Sequence, residues 1–381
     1  WCELWCSISH YTHREKILSP CRNFSKHTLL TFLYYTMKET CTLRDGSEHG
    51  RIILGAWQLS EWHSQRQEKD ETLLAYLQNG IDTIDCADIY TGVEQAIGKV
   101  ITQLQTLITP PLPRVHTKHV PDLDTIRSWN ISPETTRSLI DTSIARIRKN
   151  CLDLVQFHHW DYDIYTYKTS VHTLITLQKE SKINGIGITN SSVEFLKKLE
   201  SECDFVPLTT QNQYNIIDRR PEKYLFDHTT ERDIIFYGYG SIMGWLLSSK
   251  YLWAPEPVEP LENRSLRKYL RIIEDWGDWN LFQQLLETLD LIGKKHHKTI
   301  SEVAMRWVLD NQSVGAIICG ARHPTYAKDM NNLSLFRLTD TDRSMIDVVY
   351  KQWRAIEGDV FDIERYEPRH RDIMKLNLNA K

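Results

Sequence analysis

From Arg51 onward the sequence alternates short β-branched runs with longer segments of helical period, which restricts the chain to an α/β fold with a parallel sheet. Eight runs read as strands: Arg51–Ala56, Ile81–Ala87, Arg114–His119, Leu152–His158, Asn184–Thr189, Pro207–Gln213, Asp233–Tyr239 and Gly315–Gly320. Between them lie helical stretches such as Ser132–Lys149, where Leu139, Ile140, Ser143, Ile144 and Ile147 fall in one stripe. Ser132 suits the N-cap of that helix and Pro133 its first turn. Thr299 and Glu302 form a capping-box pattern before Val303–Leu309.

Eight parallel strands either stay open or close into a (β/α)8 TIM barrel. An open dinucleotide-binding sheet calls for a GxGxxG turn after its first strand. The one GxG here, Gly185-Ile186-Gly187, lies inside the fifth run and lacks a third glycine. A barrel instead collects polar residues from the C-terminal ends of many strands. Asp85, Lys118, His158, Asn190, Gln211 and Tyr239 each close or follow an apolar run. The pattern favours the barrel, as a single domain over residues 46–381 with a C-terminal tail.

Residues 1–45 read differently. They begin with Trp, mix aromatics, Cys, His and basic residues, and hold no sustained period. We expect them to be a disordered or adventitious extension, with Met37 a sensible translation start. A formal net charge of −4 gives no electrostatic reason to expect nucleic acid, and no apolar run is long enough for a membrane span. Of the eight cysteines, Cys86, Cys151, Cys203 and Cys319 sit singly in apolar segments and read as buried free thiols of a reducing, cytoplasmic compartment. No CxxC pair occurs, and His116 and His119 fall on opposite strand faces, so no metal is expected. Six Asn-x-Ser sequons carry little weight without a signal peptide.

The chemistry concentrates at Asp85, Tyr90, Lys118 and His158, which end or follow three consecutive strands. A phenol with a pKa of about 10 is a poor proton donor at neutral pH. A neighbouring ammonium favours its phenolate, so Lys118 is expected to lower the Tyr90 pKa while Asp85 holds the lysine by ion pairing. His158 can bond a substrate oxygen or the phenol. Each residue alone has a plainer reading: Asp85 a cap, Lys118 a snorkelling rim residue, Tyr90 a packed aromatic. Strand alternation puts His158 and His159 on opposite faces without saying which points inward.

Together these residues resemble the signature of the aldo-keto reductase superfamily, Asp-Thr-Ala-x-x-Tyr-Gly-x-x-Glu, followed by Thr-Lys and Leu-x-Gln-x-His strand ends. The resemblance covers roughly residues 51–349 and favours His158 over His159. It implies NADP(H)-dependent reduction of an aldehyde or ketone, with NADH less favoured, Tyr90 as proton donor and His158 orienting the carbonyl of a small-molecule substrate. It also implies a cofactor site. Gly55, Ala56 and Trp57 would touch the nicotinamide, Thr189, Asn190 and Gln211 its carboxamide, and Asp85 would lie beside it. In the stretch Tyr239, Gly240 and Ser241 the tyrosine ring would stack on the nicotinamide, and Gly320, Arg322 and Lys328 would grip the 2′-phosphate. A guanidinium suits that dianion, so the NADP preference rests mainly on Arg322.

Thr189 stands where Ser is commoner, Ser241-Ile242 where Pro-Leu is usual, and Asp329-Met330 where many members have Glu-Asn; Asn331 or Asn332 could substitute in reading the adenine. Leu246–Trp279 matches nothing confidently and is expected to shape substrate access. The Trp276–Trp279 run reads either as pocket lining or, more commonly, as loop packing. The rival function is a nucleotide-binding regulatory subunit resembling potassium-channel β subunits, with little turnover; those carry Asn where this chain has His158.

Overall fold

A small hairpin precedes the barrel: β1 (Thr40–Thr42) pairs antiparallel with β2 (Glu48–Gly50) in the computed structural model, which describes residues 39–60, 69–106, 112–261, 264–320 and 323–374. The eight expected strands follow as β3 (Ile52–Gly55), β4 (Thr83–Asp85), β5 (Arg114–His119), β6 (Leu152–Phe157), β7 (Ile183–Thr189), β8 (Thr209–Gln213), β9 (Ile235–Tyr239) and β10 (Val314–Gly320). Every neighbouring pair is parallel, and the order β10-β3-β4-β5-β6-β7-β8-β9 closes on itself. Helices stand between the strands, giving the (β/α)8 barrel expected from the alternation.

Strand alternation divides the apolar residues between two compartments. On β6, Val155 and Phe157 point outward into the core shared with the helices, while Leu154 points into the barrel. The interior cluster joins Leu154 to Ile53, Tyr237, Ala316 and Ile318, and also to Cys41 and Leu43 of the hairpin. The hairpin therefore seals the N-terminal end of the barrel and leaves the C-terminal mouth open. His49 on β2 bonds the Tyr237 hydroxyl at 2.5 Å, and His116 stacks on the same ring. Glu39 to Asp45 thus belong to the same compact unit as the barrel. The expectation for residues 1–38 lies outside the described residues.

Both caps form as read. Ser132 Oγ accepts from Thr135 N, and Thr299 Oγ1 accepts from Glu302 N while Glu302 returns the bond to Thr299 N. The helix Pro133–Ile147 buries Thr136, Ile140, Ser143 and Ile147, whereas Leu139 is exposed; the stripe is centred one residue off its expected line. Trp276 ends one helix and Trp279 begins the next; both pack on the core, and their indoles donate to the carbonyls of Tyr350 and Ala254. Cys86, Cys203 and Cys319 are buried free thiols, while Cys151 is partly exposed. Among the described residues no helix is long and apolar enough to cross a membrane.

Candidate active site

Register brings the candidate residues to one level. Gly55 pairs with Asp85, and Asp85 with His116, so Lys118 stands one inward step above His116. Lys118 in turn pairs with Gln156, and Thr189 with Gln211. A cavity of about 360 Å³ opens over these strand ends. Asp85, Tyr90, Lys118 and His158 all line it, together with Gly55, Trp57, Thr189, Asn190, Gln211, Tyr239, Gly240, Ser241 and Gly320. Ala56 is fully buried and is not among its lining residues, nor is Lys328, which is exposed on the short helix Ala327–Asn331. Arg322 lies outside the described residues.

At the cavity floor Lys118 Nζ is 2.5 Å from Asp85 Oδ1 and 2.9 Å from the Cys86 carbonyl. The other carboxylate oxygen accepts from Gln156 Nε2 at 2.9 Å and Gln211 Nε2 at 2.8 Å, which fixes the plane of Asp85. The ammonium also lies 5.2 Å from the centre of the Tyr90 ring, and the Trp57 ring packs edge-on against that phenol at 4.8 Å. Burial opposes the Lys118 charge, but Asp85 and Tyr90 outweigh it and raise the lysine above its ordinary value. Tyr90 goes the other way from the sequence expectation. Burial pushes the phenol up to about 12, and Lys118 recovers only part of that shift. At neutral pH the phenol is therefore fully protonated.

His158 points inward and His159 outward, where His159 Nε2 meets Thr166 Oγ1 at 3.1 Å. Burial, aided by the Arg365 charge, holds His158 well below the ordinary histidine range, so it is neutral. Its Nδ1 lies 3.1 Å from the Thr189 carbonyl, and its Nε2 is buried without a partner among the described residues. Asn190 adopts a left-handed backbone, φ 56°, held by Tyr162 and Arg365, which both donate to its carbonyl. Its Oδ1 accepts from the Tyr239 hydroxyl at 2.8 Å. Gly240, φ +75°, sits against the Tyr269 hydroxyl, where a Cβ would collide; only glycine fits that turn.

The sequence profile of the aldo/keto reductase family matches residues 51–351. This chain belongs to the aldo/keto reductase family. It is 24% identical over 335 residues to the aldo-keto reductase YhdN of Bacillus subtilis, covering 82% of this chain and 93% of that one. It is 22% identical over 324 residues to the NADH-specific methylglyoxal reductase of Escherichia coli, with 78% and 93% covered. Among solved structures, an aldo/keto reductase from Klebsiella pneumoniae in complex with NADP and acetate superposes with a TM-score of 0.63 at 19% identity, covering 84% of this chain and 99% of that one.

Several lining residues of this aldo/keto reductase escaped the sequence reading. The helix Arg264–Trp276, inside the stretch left unmatched, contributes Ser265, Lys268 and Tyr269. Their i, i+3, i+4 spacing was the available signal. Trp160, two residues beyond His158 on the same alternation, packs against the His158 ring at 4.3 Å. Phe361, Ile373 and Met374 come from the C-terminal tail, and no local pattern marks them.

Proposed function

We propose that this chain reduces an aldehyde or ketone to an alcohol, with Tyr90 as the proton donor and NADPH as the reductant. The observation that carries the reading is the buried Asp85–Lys118 pair beneath the Tyr90 ring, at the floor of a cavity into which the His158 edge also faces. The phenol carries its proton at neutral pH, and burial makes it a weaker acid than an exposed tyrosine, so the transfer depends on the ammonium beside it. Lys118 then stabilises the phenolate as it forms, and Asp85 keeps the ammonium charged and in place.

His158 acts as an acceptor rather than a donor. The Thr189 carbonyl can only accept, so Nδ1 carries the hydrogen and the neutral ring presents a lone pair at Nε2. Once the phenol proton has transferred, that lone pair can accept the hydroxyl hydrogen of the product alcohol.

The residues around the cavity suit a nicotinamide. Gly55 and Gly240 line the cavity, and Thr189, Asn190 and Gln211 present polar groups beside the Tyr239 ring. When bound, the cofactor supplies a hydride to the carbonyl carbon. Preference for NADPH over NADH rests on Arg322, seconded by Lys328; relatives of both kinds exist, since one is an NADH-specific reductase and another was solved with NADP. Steady-state consumption of NADPH and of NADH against a panel of aldehydes tests the proposal. Turnover with aldehyde and NADPH is expected; tight NADPH binding with no turnover on any carbonyl would overturn it.

A further inference from the structure

Among the described residues, Lys268 is the one lysine besides Lys118 that lines the cavity. Its side chain is 15% exposed, and the two carboxylates that attract it, Glu364 and Asp218, are both engaged by Arg220. Among the described residues its ion pair is with Glu364 Oε1, at 3.5 Å. That carboxylate is already shared: Arg220 donates to both its oxygens at 3.2 Å, and Arg220 is itself held by Asp218. The other close groups are rings, with Tyr239, Phe361 and Tyr269 centred 5.4, 5.7 and 5.8 Å from Nζ. Burial accordingly holds this lysine below its ordinary pKa, Glu364 notwithstanding. An ammonium has three donors to satisfy, and here one long contact with a shared carboxylate faces them. A cation so placed in a ligand cavity calls for an anion from the ligand.

We propose that Lys268 anchors an anionic group, a carboxylate or phosphate, on the carbonyl substrate, so that this site prefers aldehydes and ketones charged at the end remote from the carbonyl. The direction comes from Phe361, whose ring lies 5.9 Å from that of His158 and 5.7 Å from Lys268 Nζ. One aromatic side chain thus spans from the reaction centre to the cation. A substrate laid along it, with its carbonyl between Tyr90 and His158, brings a group about one ring's length away to Lys268. The inference rests on the carbonyl-reduction reading above for the position of the reacting end.

The test compares 4-formylbenzoate with benzaldehyde in the parent, Lys268→Met and Lys268→Arg. KM for 4-formylbenzoate is expected to rise on the order of 10- to 100-fold in Lys268→Met, the range of a lost hydrogen bond to a charged group. KM for benzaldehyde and the Kd for NADPH should stay within about twofold, and Lys268→Arg should recover most of the loss. Equal losses on both aldehydes overturn the proposal. So does weaker NADPH binding with discrimination intact, which would assign the cation to the cofactor phosphates. Calorimetric binding of 4-(hydroxymethyl)benzoate separates the two readings without turnover. Binding that depends on Lys268 in a protein reducing no carbonyl would retain the anion site and remove the reductase; absence of binding to the parent would remove the anion site.

Discussion

Replacing Asp85 by Asn is the sharpest perturbation of the buried pair. The native carboxylate accepts from Lys118 Nζ on Oδ1 and from two glutamine amides on Oδ2, with side chains only 6% and 5% exposed in the pair. Asparagine has one oxygen and one NH2. Whichever way it turns, a donor faces a donor: the amide either meets Lys118 or meets Gln156 and Gln211. Removing one partner of a buried pair costs about 3–5 kcal/mol. At an unfolding entropy of ~2.1 cal/mol/K per residue, a barrel of this size loses roughly 4–7 °C in Tm.

The pH dependence supplies the discriminating sign. In the parent, Lys118 is raised above its unfolded value, so its contribution is complete below pH ~10.4 and is lost only above it. In Asp85→Asn burial dominates and the folded pKa falls below the unfolded one. The unfolded state then binds more protons, and stability climbs as pH rises towards ~10.4. Tm measured by calorimetry from neutral to alkaline pH should show a deficit that shrinks with pH. A deficit constant across that range, or none at all, would refute the account of the pair.

At the acid end, Glu364 is held down to about 2: burial raises it, and the nearby Arg220 and Lys268 charges outweigh burial. Its contribution is present above the unfolded value of ~4.3 and is lost as pH falls through the folded value, so Glu364→Gln should flatten the acid limb of Tm against pH over that window. A limb of unchanged slope would exclude this network from acid unfolding. For the cofactor, Arg322→Ala should raise KM for NADPH on the order of tenfold or more and leave KM for NADH unchanged, as loss of a charge-assisted phosphate contact requires. Equal effects on both would remove Arg322 from the 2′-phosphate.

The barrel was legible because each inner strand is covered on both faces, and such strands print as near-continuous β-branched runs. The hairpin at Thr40–Gly50 was missed because its strands are three residues long and carry Thr, Glu and His rather than an apolar alternation. At the site, Asp85, Tyr90, Lys118 and His158 could be read because strand ends and a family signature mark them in sequence. Gln156 is the glutamine of the Leu-x-Gln-x-His strand end, but its bond to Asp85 spans two strands and is not written in the local pattern. Lys268 and Phe361 reach the cavity from a helix and a tail more than ninety residues apart, a tertiary coincidence that periodicity does not encode. The Tyr90 pKa was misjudged in direction because a sequence shows the neighbouring charge and not the depth of burial.

The central claim is that Tyr90 gives the proton, and it is tested most directly by Tyr90→Phe, which removes only the hydroxyl. The account expects carbonyl reduction to fall by ~10²–10⁴-fold, the usual worth of a positioned general acid, while NADPH binding followed by fluorescence stays close to that of the parent. Reduction at the parental rate in that variant would contradict it.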